Sequence, residues 1–157
     1  MNVYRLPVFF ILLLLLWLPL AGVFGQSNTM VDEILSQESL LIGHGAYIVL
    51  VSQGLLADEA SPQEAVQALT NYPSLKRFAE SRPTETMSVG EFSFLLQELL
   101  SIPKGMFSSV FPGPRYAVRD LRFMGIIQSR ATAGMELSGE RALRILNRAL
   151  SERERRL

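Results

Sequence analysis

Hydrophobic residues along the chain recur mostly at helical spacing. In the stretch opened by Ser88, Phe92, Leu95, Leu96 and Leu99 lie three and four apart, the period of one helix face. The start is marked by Ser88 and Glu91, a capping box in which the serine hydroxyl and the carboxylate each satisfy a free first-turn N–H. Ser61-Pro62-Gln63-Glu64 carries the same box with proline in the first helical position, and predicts a helix through Val66 and Leu69 that stops at Tyr72-Pro73. A shorter helix through Leu75 and Phe78 follows, before a polar loop around Arg82 and Pro83. Upstream, Thr29 and Asp32 suggest a weaker box opening a short helix through Val31, Ile34 and Leu35. Ala46 to Val51 is apolar on every side and ends at Gly54, which fits a helix closed by a left-handed glycine. Its β-branched Ile48, Val49 and Val51 leave a buried strand as the alternative, with helix favoured by the surroundings.

Beyond residue 102 the pattern breaks into Pro103, Gly105, Pro112, Gly113 and Pro114, interleaved with Met106, Phe107, Val110 and Phe111. This is a linker with an apolar filling, expected to pack down on the core because large exposed hydrophobes are costly. A helix then runs from Pro114 towards Gly125, burying Ala117, Leu121 and Met124, and a last one follows Ser138, burying Leu143, Leu146 and Leu150. Arginines recur on the faces away from those residues: Arg115, Arg119 and Arg122 on the first, Arg141, Arg144, Arg148 and Arg155 on the second.

The first twenty-five residues form a different pattern. Arg5 is followed by an apolar run from Val8 to Leu18, then Pro19 and a small-residue exit ending at Val23-Phe24-Gly25, the order of a secretory signal peptide. As a helix, Val8 to Phe24 would be about 25 Å long, short of the ~30 Å hydrocarbon core, and Pro19 interrupts it. A cleaved signal over 1–25 and a mature chain from about Gln26 are expected, and no stable membrane span after cleavage. The protein is therefore expected to be exported and to work in the periplasm, outside the cell or in the cell envelope. Without cysteine, disulfides and thiolate zinc are excluded, and a domain of about 130 residues must rely on its core.

Two segments look like copies of one unit. Ala46 to Leu56 with Met87 to Leu100 parallels Ala117 to Ile127 with Leu137 to Leu150. In each, a helix ends at glycine and two aliphatics, and a later capped helix opens on Gly-Glu. Each pair is too small to bury its own apolar face and must stack on its neighbour. The expected architecture is all-α, one small domain over 26–157 built from stacked helix-loop-helix units 43–102 and 114–151 and joined by the linker 103–113. This arrangement resembles the S-layer homology repeat of exported envelope proteins, which implies a helical fold and binding of a cell-wall polymer. That family opens its second helix with a Thr-Arg-Ala-Glu run whose arginine helps hold the anionic glycan. Here the aligned places read Ser88-Val89-Gly90-Glu91 and Leu137-Ser138-Gly139-Glu140, without that arginine.

Charge sharpens the picture. From Gln26 to Pro114 four basic residues face ten acids, whereas Arg115 to Leu157 holds ten arginines against five acids. Either the halves attract one another or the second meets an acidic partner, and export argues against nucleic acid. The candidate partner-binding residues are Arg115, Tyr116, Arg119, Arg122, Arg141, Arg144 and Arg148. Glu140 to Arg144 and Glu152 to Arg156 read as solvated four-apart pairs, but arginines outnumber the acids. No catalytic or cofactor motif is present. His44, the single histidine, lies between glycines and reads as a structural turn; Asp58 and Glu59 read as a solvated pair; Glu91 and Glu140 are explained by the helix dipole. The expected protein is a non-enzymatic envelope module without cofactor or metal, binding an anionic cell-wall polymer or envelope protein through its arginine-rich half. A structural or assembly subunit using an apolar groove at Met106, Phe107 and Phe111 is the alternative. An enzyme would require a pocket gathering Glu91, His44 or Tyr116.

Overall fold

The structure, a computed structural model, describes residues 25–128 and 130–156, with side chains from residue 29 onward. The signal-peptide expectation over residues 1–24 lies outside the described residues. Among the described residues there are eight α-helices: α1 (Gly25–Ser36), α2 (Ile42–Ser52), α3 (Pro62–Ala68), α4 (Lys76–Ala79), α5 (Val89–Leu99), α6 (Met106–Val110), α7 (Pro114–Phe123) and α8 (Gly139–Glu154). Two 3₁₀ turns, Leu69–Asn71 and Pro73–Leu75, join α3 to α4. Among the described residues there is no β-strand, only isolated antiparallel bridges at Leu41 with Thr86 and Ser88 with Glu136. The fold is all-α, as the periodicity predicts.

Helices α2 and α5 form the centre. Ile42 to Leu50 are all buried, and nine of the eleven residues of α5 are buried as well. A helix apolar on every side must be covered on every side. Accordingly α3 lies on α2, α7 lies on α5, and α1 packs along α8. The β-branched residues of α2 are in a helix because this enclosure, rather than propensity, decides their conformation.

Both capping boxes form as read. The Ser61 N–H donates to Glu64 Oε2 at 2.7 Å and the Glu64 N–H to Ser61 Oγ at 3.2 Å; the corresponding distances at Ser88 and Glu91 are 2.9 and 3.3 Å. Helices α2 and α7 are followed by left-handed glycines, Gly54 and Gly125. Three expectations are corrected. Helix α1 begins at Gly25, so Thr29 lies inside it rather than capping it. Helix α2 begins at Ile42, which places His44 in its first turn and not in a loop. The linker 103–113 contains α6, and its large hydrophobes point outward: of α6 only Ser108 is buried.

The starts of α2, α5 and α8 are joined in a closed ring. Leu40, Met87 and Leu137 occupy matching places just before the three helices, and all are buried. The Met87 N–H donates to the Leu40 carbonyl (2.7 Å), and the Leu40 N–H to the Leu137 carbonyl (2.6 Å). First-turn N–H groups of each helix reach the segment leading into another. Ile42 and Gly43 donate to Glu85 and Pro83, Val89 and Gly90 to Met135 and Ala133, and Gly139 to Gln37, all within 3.0 Å. A helix start has N–H groups with no partner inside the helix. The ring supplies those partners, so α2 needs no capping side chain at its N-cap residue, Leu41. Close passage of the main chains requires glycine: a Cβ at 139 would stand 1.6 Å from the Ile34 carbonyl oxygen, and one at 90 would stand 2.7 Å from that of Ala133. The two-copy pattern in the sequence thus gains a third helix start, which lacks the Ser/Gly-Glu signature.

Candidate functional site

Two adjoining clefts lie on the basic half. The larger, about 800 Å³, is lined by Met106 and Phe107 of α6, Arg119, Asp120, Arg122 and Phe123 of α7, and Arg130 of the following loop. The second, about 420 Å³, is lined by Glu140, Arg141, Arg144 and Arg148 of α8. Ile127 and Gln128 belong to both walls. Helices α7 and α8 turn Ala117, Val118 and Leu121, and Ala142, Ile145, Leu146 and Ala149, into the core, and the same spacing turns their arginines out.

Of the seven residues read from the sequence, the structure brings Arg119, Arg122, Arg141, Arg144 and Arg148 into this double cleft. Arg115 is exposed at the start of α7, outside both clefts. Tyr116 is half-buried and stacks on Phe107, with ring centres 6.1 Å apart, and Phe107 lies 5.2 Å beneath the Arg119 guanidinium. Tyr116 therefore acts as support for the aromatic floor. Arg130 joins the site although helical spacing could not nominate it, since it lies in a loop.

The electrostatics are one-sided. Arg144 pairs with Glu140 at 2.5 Å, and Arg155 and Arg156 share Glu152, all within α8 and its end. Arg115, Arg119, Arg122, Arg130 and Arg148 have no carboxylate within 4 Å among the described residues. Six arginines face two carboxylates in the double cleft, and neither carboxylate is idle. Asp120 accepts from the Ser108 hydroxyl at 2.5 Å, the Gly105 N–H at 2.9 Å and the Gln97 amide at 3.0 Å. Burial pushes the Asp120 carboxyl up, but the Ser108 and Gly105 hydrogen bonds, then Gln97 and the nearby Arg119, together hold it below its usual range. Asp120 is thereby a staple joining α5, α6 and α7. Sequence reasoning missed it because its three partners come from separate elements.

His44 is 5% exposed; its Nδ1 lies 2.5 Å from Gln37 Nε2, and its Nε2 lies 3.6 Å from Glu33 Oε1. Burial holds its pKa below the ordinary value despite the opposing pull of Glu33. None of His44, Glu91 and Tyr116 lines either cleft, and Glu91 is engaged by Arg77 at 2.7 Å. Among the described residues no cluster of three or more His, Asp or Glu is placed to hold a metal ion, and no helix is long and apolar enough to cross a membrane. No family model, no curated protein and no solved structure matches the chain.

Proposed function

We propose that this chain is a non-enzymatic, exported envelope module that binds an anionic cell-wall polymer along the double cleft. The observation that carries the reading is the convergence of six arginines from α7, α8 and the loop between them, most without a carboxylate partner. Guanidinium groups in such a row suit the repeated phosphates or carboxylates of a polymer, because each makes charge-assisted, planar hydrogen bonds. The signal-peptide pattern of the first twenty-five residues supports export, and the resemblance to S-layer homology repeats supports the ligand class. The family's own helix-start arginine is replaced here by residues of the ring, so the polymer is held on the α7 and α8 flank instead.

The test is sedimentation with purified teichoic acid as the polyanion, in rising salt. Binding should weaken steeply as salt screens the contacts. Arg130→Glu with Arg148→Glu should reduce affinity by about a hundredfold, at roughly one charge-assisted contact per arginine. Among the described residues neither has a carboxylate partner, so folding should be spared. Binding that is absent at every salt concentration, or is unchanged in the double variant, overturns the reading.

A further inference from the structure

Helix α6 presents its sides the wrong way round for water. Its one buried residue is the polar Ser108, whose hydroxyl is tied to Asp120, while Met106 and Val110 are 77% and 64% exposed. Gly105, just before the helix, is tied to the same carboxylate. Phe111, one residue past α6, is 61% exposed, and Phe123, at the end of α7, is 93% exposed. Met106 and Phe123 line one cleft with Arg119 and Arg122, so apolar tips and cations share one edge. Left in water this edge is unfavourable, and the three-point hold of Asp120 prevents α6 from rolling over to hide it.

Charge identifies what covers the edge. Among the described residues Arg115, Arg119 and Arg122 have no carboxylate within 4 Å, Lys104 is held by Glu98, and Asp120 is engaged by its three donors. Protruding aromatic and aliphatic tips beside a cationic row, with no free carboxylate, match the interface of an anionic bilayer. We propose that the α6–α7 edge seats on an anionic phospholipid surface, with Met106, Val110, Phe111 and Phe123 entering the headgroup boundary and Arg115, Arg119 and Arg122 contacting lipid phosphates. The proposal goes beyond polymer binding and does not require it.

The test reads where the molecule touches the membrane. In the full chain carrying Trp17→Phe, a single indole is introduced by Phe123→Trp or, at an exposed position of α3, by Gln67→Trp. With phosphatidylglycerol vesicles, emission at position 123 should shift to the blue and be quenched by brominated lipid, while position 67 stays unchanged. Phosphatidylcholine alone should give little shift. Phe111→Asp should weaken binding by about tenfold or more, and charge reversal of the three arginines by about a hundredfold. Circular dichroism checks that each variant is folded. No shift, or an equal shift at both positions, overturns the proposal, the latter meaning that residues 1–24 alone deliver the chain to lipid. A blue emission at 123 before vesicles are added also overturns it: independent of concentration, it means that another part of the chain covers the edge, and rising with concentration, that a second copy does. Since no wall polymer is present, failure here leaves the polymer reading to its own assay.

Discussion

Replacing Gly139 with alanine tests whether the ring at the helix starts is as tight as described. The added Cβ would lie 1.6 Å from the Ile34 oxygen and 2.6 Å from its carbonyl carbon. Main-chain atoms cannot rotate away as a side-chain tip can, so α8 or α1 must move by roughly 1.5 to 2 Å to restore ordinary contact. Overpacking of this kind costs about 1–3 kcal/mol. The same movement stretches the Gly139 to Gln37 and Leu40 to Leu137 hydrogen bonds, 3.0 and 2.6 Å long, for about 1 kcal/mol each. Alanine's better helix propensity returns at most about 1 kcal/mol. The net is about 3 kcal/mol of destabilisation, a large share of the ~5–15 kcal/mol a domain possesses. Urea unfolding followed by circular dichroism at 222 nm measures it. Gly90→Ala, whose Cβ would meet the Ala133 oxygen at 2.7 Å, should cost less, and Gly134→Ala, with nothing within 4 Å, close to nothing. If Gly139→Ala unfolds at the wild-type urea concentration with an unchanged slope, the close passage does not exist and the ring is wrong.

Two further outcomes follow from the titrating groups. Because the His44 pKa is lower folded than unfolded, the unfolded chain binds the extra proton first; stability is complete above about pH 6.5 and declines as pH falls towards the folded value. His44→Gln should remove that component, so between pH 7.5 and 5 its urea midpoint should fall less than that of the wild type. The Asp120 carboxyl is depressed, so its stabilisation is present above the unfolded value and disappears as pH falls through the folded one. Asp120→Asn should lower stability by about 1–2 kcal/mol at neutral pH and speed amide exchange over residues 105–111, and unchanged exchange there would show that α6 is held by something else.

Legibility in the sequence followed how local the cause was. Ser61 and Ser88 were readable because a cap and its carboxylate lie three residues apart and carry their own hydrogen bonds. The start of α2 was not, because Ile42 and Gly43 find their acceptors at Glu85 and Pro83. His44 was misplaced for the same reason, since flanking glycines that look like a turn are packed inside a helix against Pro83 and Met87. The arginine stripes of α7 and α8 were legible as faces, but that they meet in one double cleft, with Arg130 added from a loop, depends on tertiary packing. The outward direction of Met106, Val110 and Phe111 contradicts simple burial logic, and is set by a carboxylate beyond the linker.

The order in which the ring's members leave the ribosome has a consequence of its own. Of the three, Leu40 is made first, Met87 next and Leu137 last, and closure requires all of them. Contacts this distant in sequence make folding slow, since the intervening chain must be gathered before any reward arrives. A nascent chain stalled short of Leu137 would therefore stay loose and threadable, whatever helices it had already begun to form.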